Sequence, residues 1–188
     1  EDTANDEFTV STSETYLQKA YLKASNIGGS YEDFGWSVAI SGDYTIIGAY
    51  REDSNDIDDP SDNSATNAGA AYIFKTSDSG QTWTQTAYLK ASHLDAADYF
   101  GYSVAISGDY AIVGAYQEDS NDIDDPSNYN VNAKNSGAAY IFKKDSGAET
   151  WTQTAYLKAS NIGKEDWFGY SVAISGDYAI VGARYEDS

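Results

Sequence analysis

Carboxylates and side-chain amides are concentrated in two loops, Glu52 to Asn67 and Glu118 to Asn135. The first carries Asp53, Asn55, Asp56, Asp58 and Asp59, and the second Asp119, Asn121, Asp122, Asp124 and Asp125. Hard oxygen donors at this density are what calcium requires, because it takes six to eight oxygens from carboxylates, amides and carbonyls. No basic residue offsets the acids between Glu52 and Asp62. The spacing is not that of an EF-hand-like loop, since Asp53 and Asn55 are followed by Ile57. The loops are therefore read either as calcium sites or as solvated acidic loops.

A second group alternates acids with aromatic rings: Tyr31 and Asp33, Asp98 and Tyr99, Asp166 and Trp167. Rings could anchor a protein partner. They could also stack on sugar rings while the neighbouring Asp side chains accept hydrogen bonds from hydroxyls. Catalytic constellations are poorer. The lone His93 has no nucleophile elbow to serve. Carboxylate pairs for glycoside hydrolysis are too easily found among 30 acids to mean anything alone. A single active site should break the repetition described below, and the departures available are His93, Arg51 and Arg184.

Composition narrows the choice. The chain has 188 residues, 11 Lys plus Arg against 30 Asp plus Glu, and a formal charge of -19. Such a surface repels phosphate backbones and anionic lipid, so nucleic acid and membrane surfaces are not expected partners, and no run approaches 18 apolar residues, so no membrane insertion is expected. Absence of Cys removes disulfides, thiolate metal sites and cysteine nucleophiles. With 41% hydrophobic residues, 17 Tyr, 6 Phe and 4 Trp, a core is affordable in composition. The charge, the missing sulfur residues and a first residue, Glu1, that is not methionine together lead us to expect a processed or trimmed extracellular protein.

The elements that must position these residues come from a tandem repeat. Ser103 to Ala115 recurs unchanged at Ser171 to Ala183, and at Ser37 to Ala49 with two differences. Phe-Gly recurs at Phe34, Phe100 and Phe168, with spacings of 66 and 68 residues. Each unit predicts four short strands, because β-branched and aromatic runs are bounded by Gly, Ser, Asp and Asn. In the second unit these are Ser103 to Ser107, Tyr110 to Tyr116, Ala138 to Phe142 and Trp151 to Ala159, with a tight turn at Gly108-Asp109. Gly114 and Ala115 leave room for a close backbone approach.

Four strands per repeat is a β-propeller blade. Phe-Gly followed about a dozen residues later by Gly-Ala resembles the FG-GAP repeat of secreted microbial proteins, with integrin α-subunit propellers as animal relatives. The resemblance implies an extracellular propeller for recognition, adhesion or scaffolding, and no catalytic activity. It places calcium in the hairpin between strands one and two, which here is only Ser107-Gly108-Asp109, so calcium is expected in the long loops instead. Thr76 to Trp83 fits the Asp-box hairpin of sialidase propellers. A sialidase would need three arginines, and only Arg51 and Arg184 are present.

The expected fold class is all-β, with three blade equivalents: an outer half-blade over 1-33, full blades over 34-99 and 100-167, and an inner half-blade over 168-188. Glu7 to Val10 align with strand three, and Tyr16 aligns with Trp83 and Trp151. Propellers close with about four to eight blades. Three arrangements follow: part of a longer propeller, a six-bladed dimer with mixed blades, or an open filament. The expected partners are other copies or further blades of the same protein, with an extracellular protein or a glycan as ligand. A structural or adhesive binding module is the leading reading and a lectin-like propeller the alternative.

Overall fold

A computed structural model of the chain describes residues 18–25, 32–55, 63–93, 95–122, 127 and 130–187. Eight of the ten strands among the described residues fall in two antiparallel four-stranded sheets. The first is β1 (Ser37–Ser41), β2 (Tyr44–Ala49), β3 (Ala70–Lys75) and β4 (Thr84–Leu89), paired in sequence order. The second repeats it with β5 (Ser103–Ser107), β6 (Tyr110–Ala115), β7 (Ala138–Lys144) and β8 (Trp151–Leu157). Then β9 (Phe168–Ser175) and β10 (Tyr178–Ala183) form a two-stranded sheet. Among the described residues the sole helical element is one 3-10 turn, Val131–Ala133. The chain is an all-β array of propeller blades.

Strand positions follow the sequence closely. Alternation in Ser103–Ser107 buries Val104 and Ile106 and leaves Ala105 half-exposed. The β5–β6 turn closes with Gly108 at φ 56, a left-handed conformation that favours glycine. Strand β6 ends at Ala115 rather than Tyr116, and β7 runs on to Lys144. Strand β8 stops at Leu157 rather than Ala159, because Lys158 turns inward to a buried carboxylate described below. The Asp-box hairpin is a structural cap. Asp78 accepts from Thr82 N–H (2.8 Å), from the Thr82 hydroxyl (2.6 Å) and from the Thr76 hydroxyl (2.9 Å). These donors, the Thr82 hydroxyl foremost, hold its carboxyl down at about 2.

The two four-stranded blades stack through a shared core. Ile46, Ala71 and Ile73 of the first sheet pack with Val104, Ile106, Tyr140 and Phe142 of the second. Burying an aliphatic side chain of this size is worth about 1.5–3 kcal/mol. The stack is latched near its inner strands. The Ser103 hydroxyl donates to Gly169 O (2.7 Å), and a β-carbon on Gly114 would collide with that same carbonyl. One blade earlier, the Ser37 hydroxyl donates to Gly101 O (2.9 Å) beside Gly48. The Phe-Gly of each unit thus docks on the Gly-Ala of the unit before it, which is the close approach that Gly114 leads one to expect.

Residues 18–25 occupy the position of a preceding blade's fourth strand. Leu22 and Ala24 pack on the first blade. Gln85 joins Ser25 twice: the Ser25 N–H donates to its Oε1 (3.0 Å), and its Nε2 donates to the Ser25 hydroxyl (2.9 Å). The same reciprocal pair joins Ser92 to Gln153. The expected strand over Glu7 to Val10, and Tyr16, lie outside the described residues.

Repeat-equivalent positions differ sharply in burial at the two ends. Val104 is 8% exposed, whereas its equivalent Val38 is 66% exposed. Ile112 is 0% exposed, whereas its equivalent Ile180 is 72% exposed. Among the described residues, β10 pairs only with β9.

Candidate functional site

Strand one begins and strand two ends on the same side of each blade, because the two are antiparallel. That side also carries the long acidic loops and the acid-aromatic links. It gathers three layers: loops, buried ion pairs and an aromatic belt.

In the loops, the described acids serve first to close the backbone. Asp53 Oδ1 accepts from Asn67 N–H (2.7 Å), and Asp119 Oδ1 accepts from Asn135 N–H. Both asparagines hold positive φ, 57 and 55, which Asn tolerates better than most residues. Asp119 O also accepts from Asn130 N–H (3.2 Å), and the Ser120 hydroxyl donates to Asp122 O (3.3 Å). Asn55 is exposed and Asn121 is exposed. Among the described residues no three or more His, Asp or Glu converge as a metal site. Asp56, Asp58, Asp59, Asp124 and Asp125 lie outside the described residues.

At the neck of each loop lies a buried ion pair. Lys90 Nζ donates to Glu52 (2.7 Å) and to Gly69 O (2.7 Å). Lys158 Nζ donates to Glu118 (2.6 Å) and to the Ser136 hydroxyl (2.7 Å). Glu118 also accepts from the Tyr156 hydroxyl (3.0 Å) and from Ser120 N–H (3.0 Å). Burial raises the Glu118 pKa and lowers that of Lys158, each opposed by its partner. Sequence reasoning missed this pair. Its signal was the recurrence of Glu at 52, 118 and 186 together with Lys at 23, 90 and 158.

The links divide into buried acids and packed rings. Asp98 and Asp166 are buried beneath the surface on which the sequence placed them. Asp98 accepts from Asp95 N–H (3.3 Å), so it caps its own turn. Burial, with Glu118 and Asp95 nearby, pushes its pKa well up. Burial likewise raises that of Asp166, with Glu186 beside it. Asp33 is half-buried and pairs with Arg51 (3.4 Å). Tyr31 lies outside the described residues.

Tyr99 stacks on Tyr116 (5.6 Å between centroids, 16° between planes), and Trp167 stacks on Tyr170 (5.8 Å, 17°). Each stack covers one face of each ring, and the Arg184 guanidinium lies 5.9 Å from the Trp167 ring centroid. The stacks belong to a longer belt. It is built from the residue before Phe-Gly, the residue after it and the residue after Gly-Ala. Trp36 meets Tyr50 (4.8 Å) and Tyr102 (5.5 Å), and Tyr102 meets Tyr170 (5.0 Å) in turn. Each ring contact between units is worth about 0.5–1.5 kcal/mol beyond its area. Trp36, Tyr50, Tyr102, Tyr116 and Tyr170 were not singled out from the sequence. Their recurrence at fixed offsets from Phe-Gly and Gly-Ala was the available signal. His93 stands apart, half-exposed and beside Asp95 (3.1 Å).

The arrangement holds blades together and presents acids around the belt; two repeat-breaking arginines flank it. No helix among the described residues is long and apolar enough to cross a membrane. The family model of the FG-GAP repeat matches residues 16–74, 83–142 and 151–188. No curated protein matches the chain.

Proposed function

This chain belongs to the FG-GAP repeat family, and from that premise we propose that it is an extracellular, non-catalytic module that assembles by docking its uncovered blade faces onto further FG-GAP blades. Propellers of this family are typically extracellular and serve binding rather than catalysis. The observation that carries the reading is the contrast between Val104, buried by the preceding blade, and Val38, exposed at the equivalent place. The far face offers the complement, since Ile46 is buried by the following blade and Ile180 is not.

The phase of the repeat supports the same reading. The family match over 83–142 runs from β4 of one blade to β7 of the next. A unit of this family therefore contributes an outer strand to one sheet and three strands to its neighbour, so joining blades is intrinsic to it. Exposed apolar faces, and the edge of β10 that pairs with no further strand among the described residues, invite pairing with another chain.

The expected result in solution is a molar mass above 20.3 kDa that rises with concentration, measured by light scattering. A mass that stays at 20.3 kDa over the whole range would refute the proposal.

Calcium belongs to the proposal as a stabiliser of the acidic loops. A ligand that binds only the folded state adds about 2.7 kcal/mol per site at 100 times its dissociation constant. Thermal melts in chelator and in millimolar calcium are therefore expected to differ by many degrees. Equal melts, or an equal shift with sodium at matched ionic strength, would remove calcium from the account.

A further inference from the structure

We propose that the blade docked on both uncovered faces belongs to a second copy of this chain, joined head to tail, with Arg184 of one copy seated against Asp33 and Trp36 of the next. The inference rests on the docking reading above and names its partner.

The argument comes from how the belt crosses from unit to unit. The residue after Gly-Ala always reaches two residues of the following unit. Tyr50 meets Tyr99 (5.4 Å) and Tyr102 (5.5 Å). Tyr116 meets Trp167 (5.0 Å) and Tyr170 (5.6 Å). In the third unit that reaching residue is Arg184. In the first unit the two receiving positions, before and after Phe-Gly, hold Asp33 and Trp36.

Two departures from the repeat, at opposite ends of the array, therefore become complementary when one copy follows another. A ring facing two rings is replaced by a guanidinium facing a carboxylate and an indole. Arginine is suited to both contacts at once, through fork-like hydrogen bonds and stacking. Inside one copy these side chains already lie in matching company. Arg184 donates to the Tyr170 hydroxyl (2.7 Å) at one end, and Asp33 pairs with Arg51 at the other.

An independent pair points the same way. Within a blade, the Glu after strand two meets the Lys after strand four, as Glu118 meets Lys158. In a blade shared by two copies those residues are Glu186 of one, which lies beside Asp166 in its own chain, and Lys23 of the next. The latch also carries over, since Ser171 and Gly182 of one copy stand where Ser103 and Gly114 meet a Phe-Gly carbonyl, and Gly35 of the next supplies that carbonyl. A generic FG-GAP blade would meet the latch. A copy of this chain also brings Asp33 and Trp36 to Arg184.

The test uses charge reversal and mixing, read by sedimentation velocity over a concentration series. R184D and D33R, each alone, are expected to associate roughly 100-fold more weakly than the wild type, because like charges then face each other at every junction. An equimolar mixture restores a complementary pair at both junctions and is expected to associate within about threefold of the wild type. A second mixture, K23E with E186K, applies the same logic should either first variant fold poorly. Wild-type chain that does not associate would overturn the docking reading itself. Association of the wild type that both reversals leave unchanged, or that mixing fails to restore, would leave docking intact and overturn this partner.

Discussion

Gly114→Ala is expected to destabilise the chain by about 3 kcal/mol. The cause is backbone against backbone. A β-carbon at Gly114 meets the Gly169 carbonyl oxygen and the Ser103 hydroxyl that donates to it. The serine can rotate away, but the carbonyl is fixed by the strand β9 that carries it. The blade must therefore move, and the core behind it opens. Gly108→Ala is the control, because nothing stands within 4 Å of its added carbon. Its cost is the left-handed backbone alone, about 1–2 kcal/mol. Urea unfolding of the two variants checks the difference, and equal midpoints would show that the latch does not hold the blades.

Lys158→Met comes next in size. Removing one member of a buried ion pair leaves an uncompensated charge and costs about 3–5 kcal/mol. Here the stranded group is the Glu118 carboxylate, whose pKa burial already raises. The double variant Glu118→Gln/Lys158→Met is expected to recover more than half of the loss. Its amide still accepts from the Tyr156 hydroxyl and the Ser120 N–H. Denaturant unfolding of both singles and the double gives the coupling, and additive losses would contradict a paired role.

Much of the fold was legible because the chain repeats itself nearly verbatim. Strands Ser103–Ser107 and Tyr110–Ala115 could be placed from alternation and a Gly-Asp turn, and both recur. The close approach at Gly114 was readable for a physical reason: a small residue at the end of an apolar strand has no packing use of its own. The Asp-box cap was readable because all its partners lie within a few residues of Asp78.

What escaped the sequence depends on contacts between units. Tyr50 and Tyr99 lie far apart in the chain and meet only once blades stack. Lys90 and Lys158 look like surface residues until the Glu at the neck of the acidic loop is brought beneath them. Asp98 and Asp166 read as exposed acids beside anchoring rings. They are buried, because a tight link between blades needs an acceptor for its own N–H groups. Nor did the sequence show that Asp53 and Asp119 each use one oxygen to accept from the asparagine that ends its loop. The sign of a residue's charge was plain from the sequence; which group it faced was not.

The central claim is that the face ending in Gly182 receives the Phe-Gly of another blade. In the single chain the three atoms nearest a β-carbon at Gly182 all belong to Ser171, with its flexible hydroxyl closest, so Gly182→Ala is expected to fold normally. At a docked junction the same carbon would meet a carbonyl, as it would at Gly114. Sedimentation velocity of wild type and Gly182→Ala at matched concentrations is the most direct measurement. The account predicts concentration-dependent association of the wild type and a 20.3 kDa species for the variant. Association of the variant as strong as that of the wild type would contradict it.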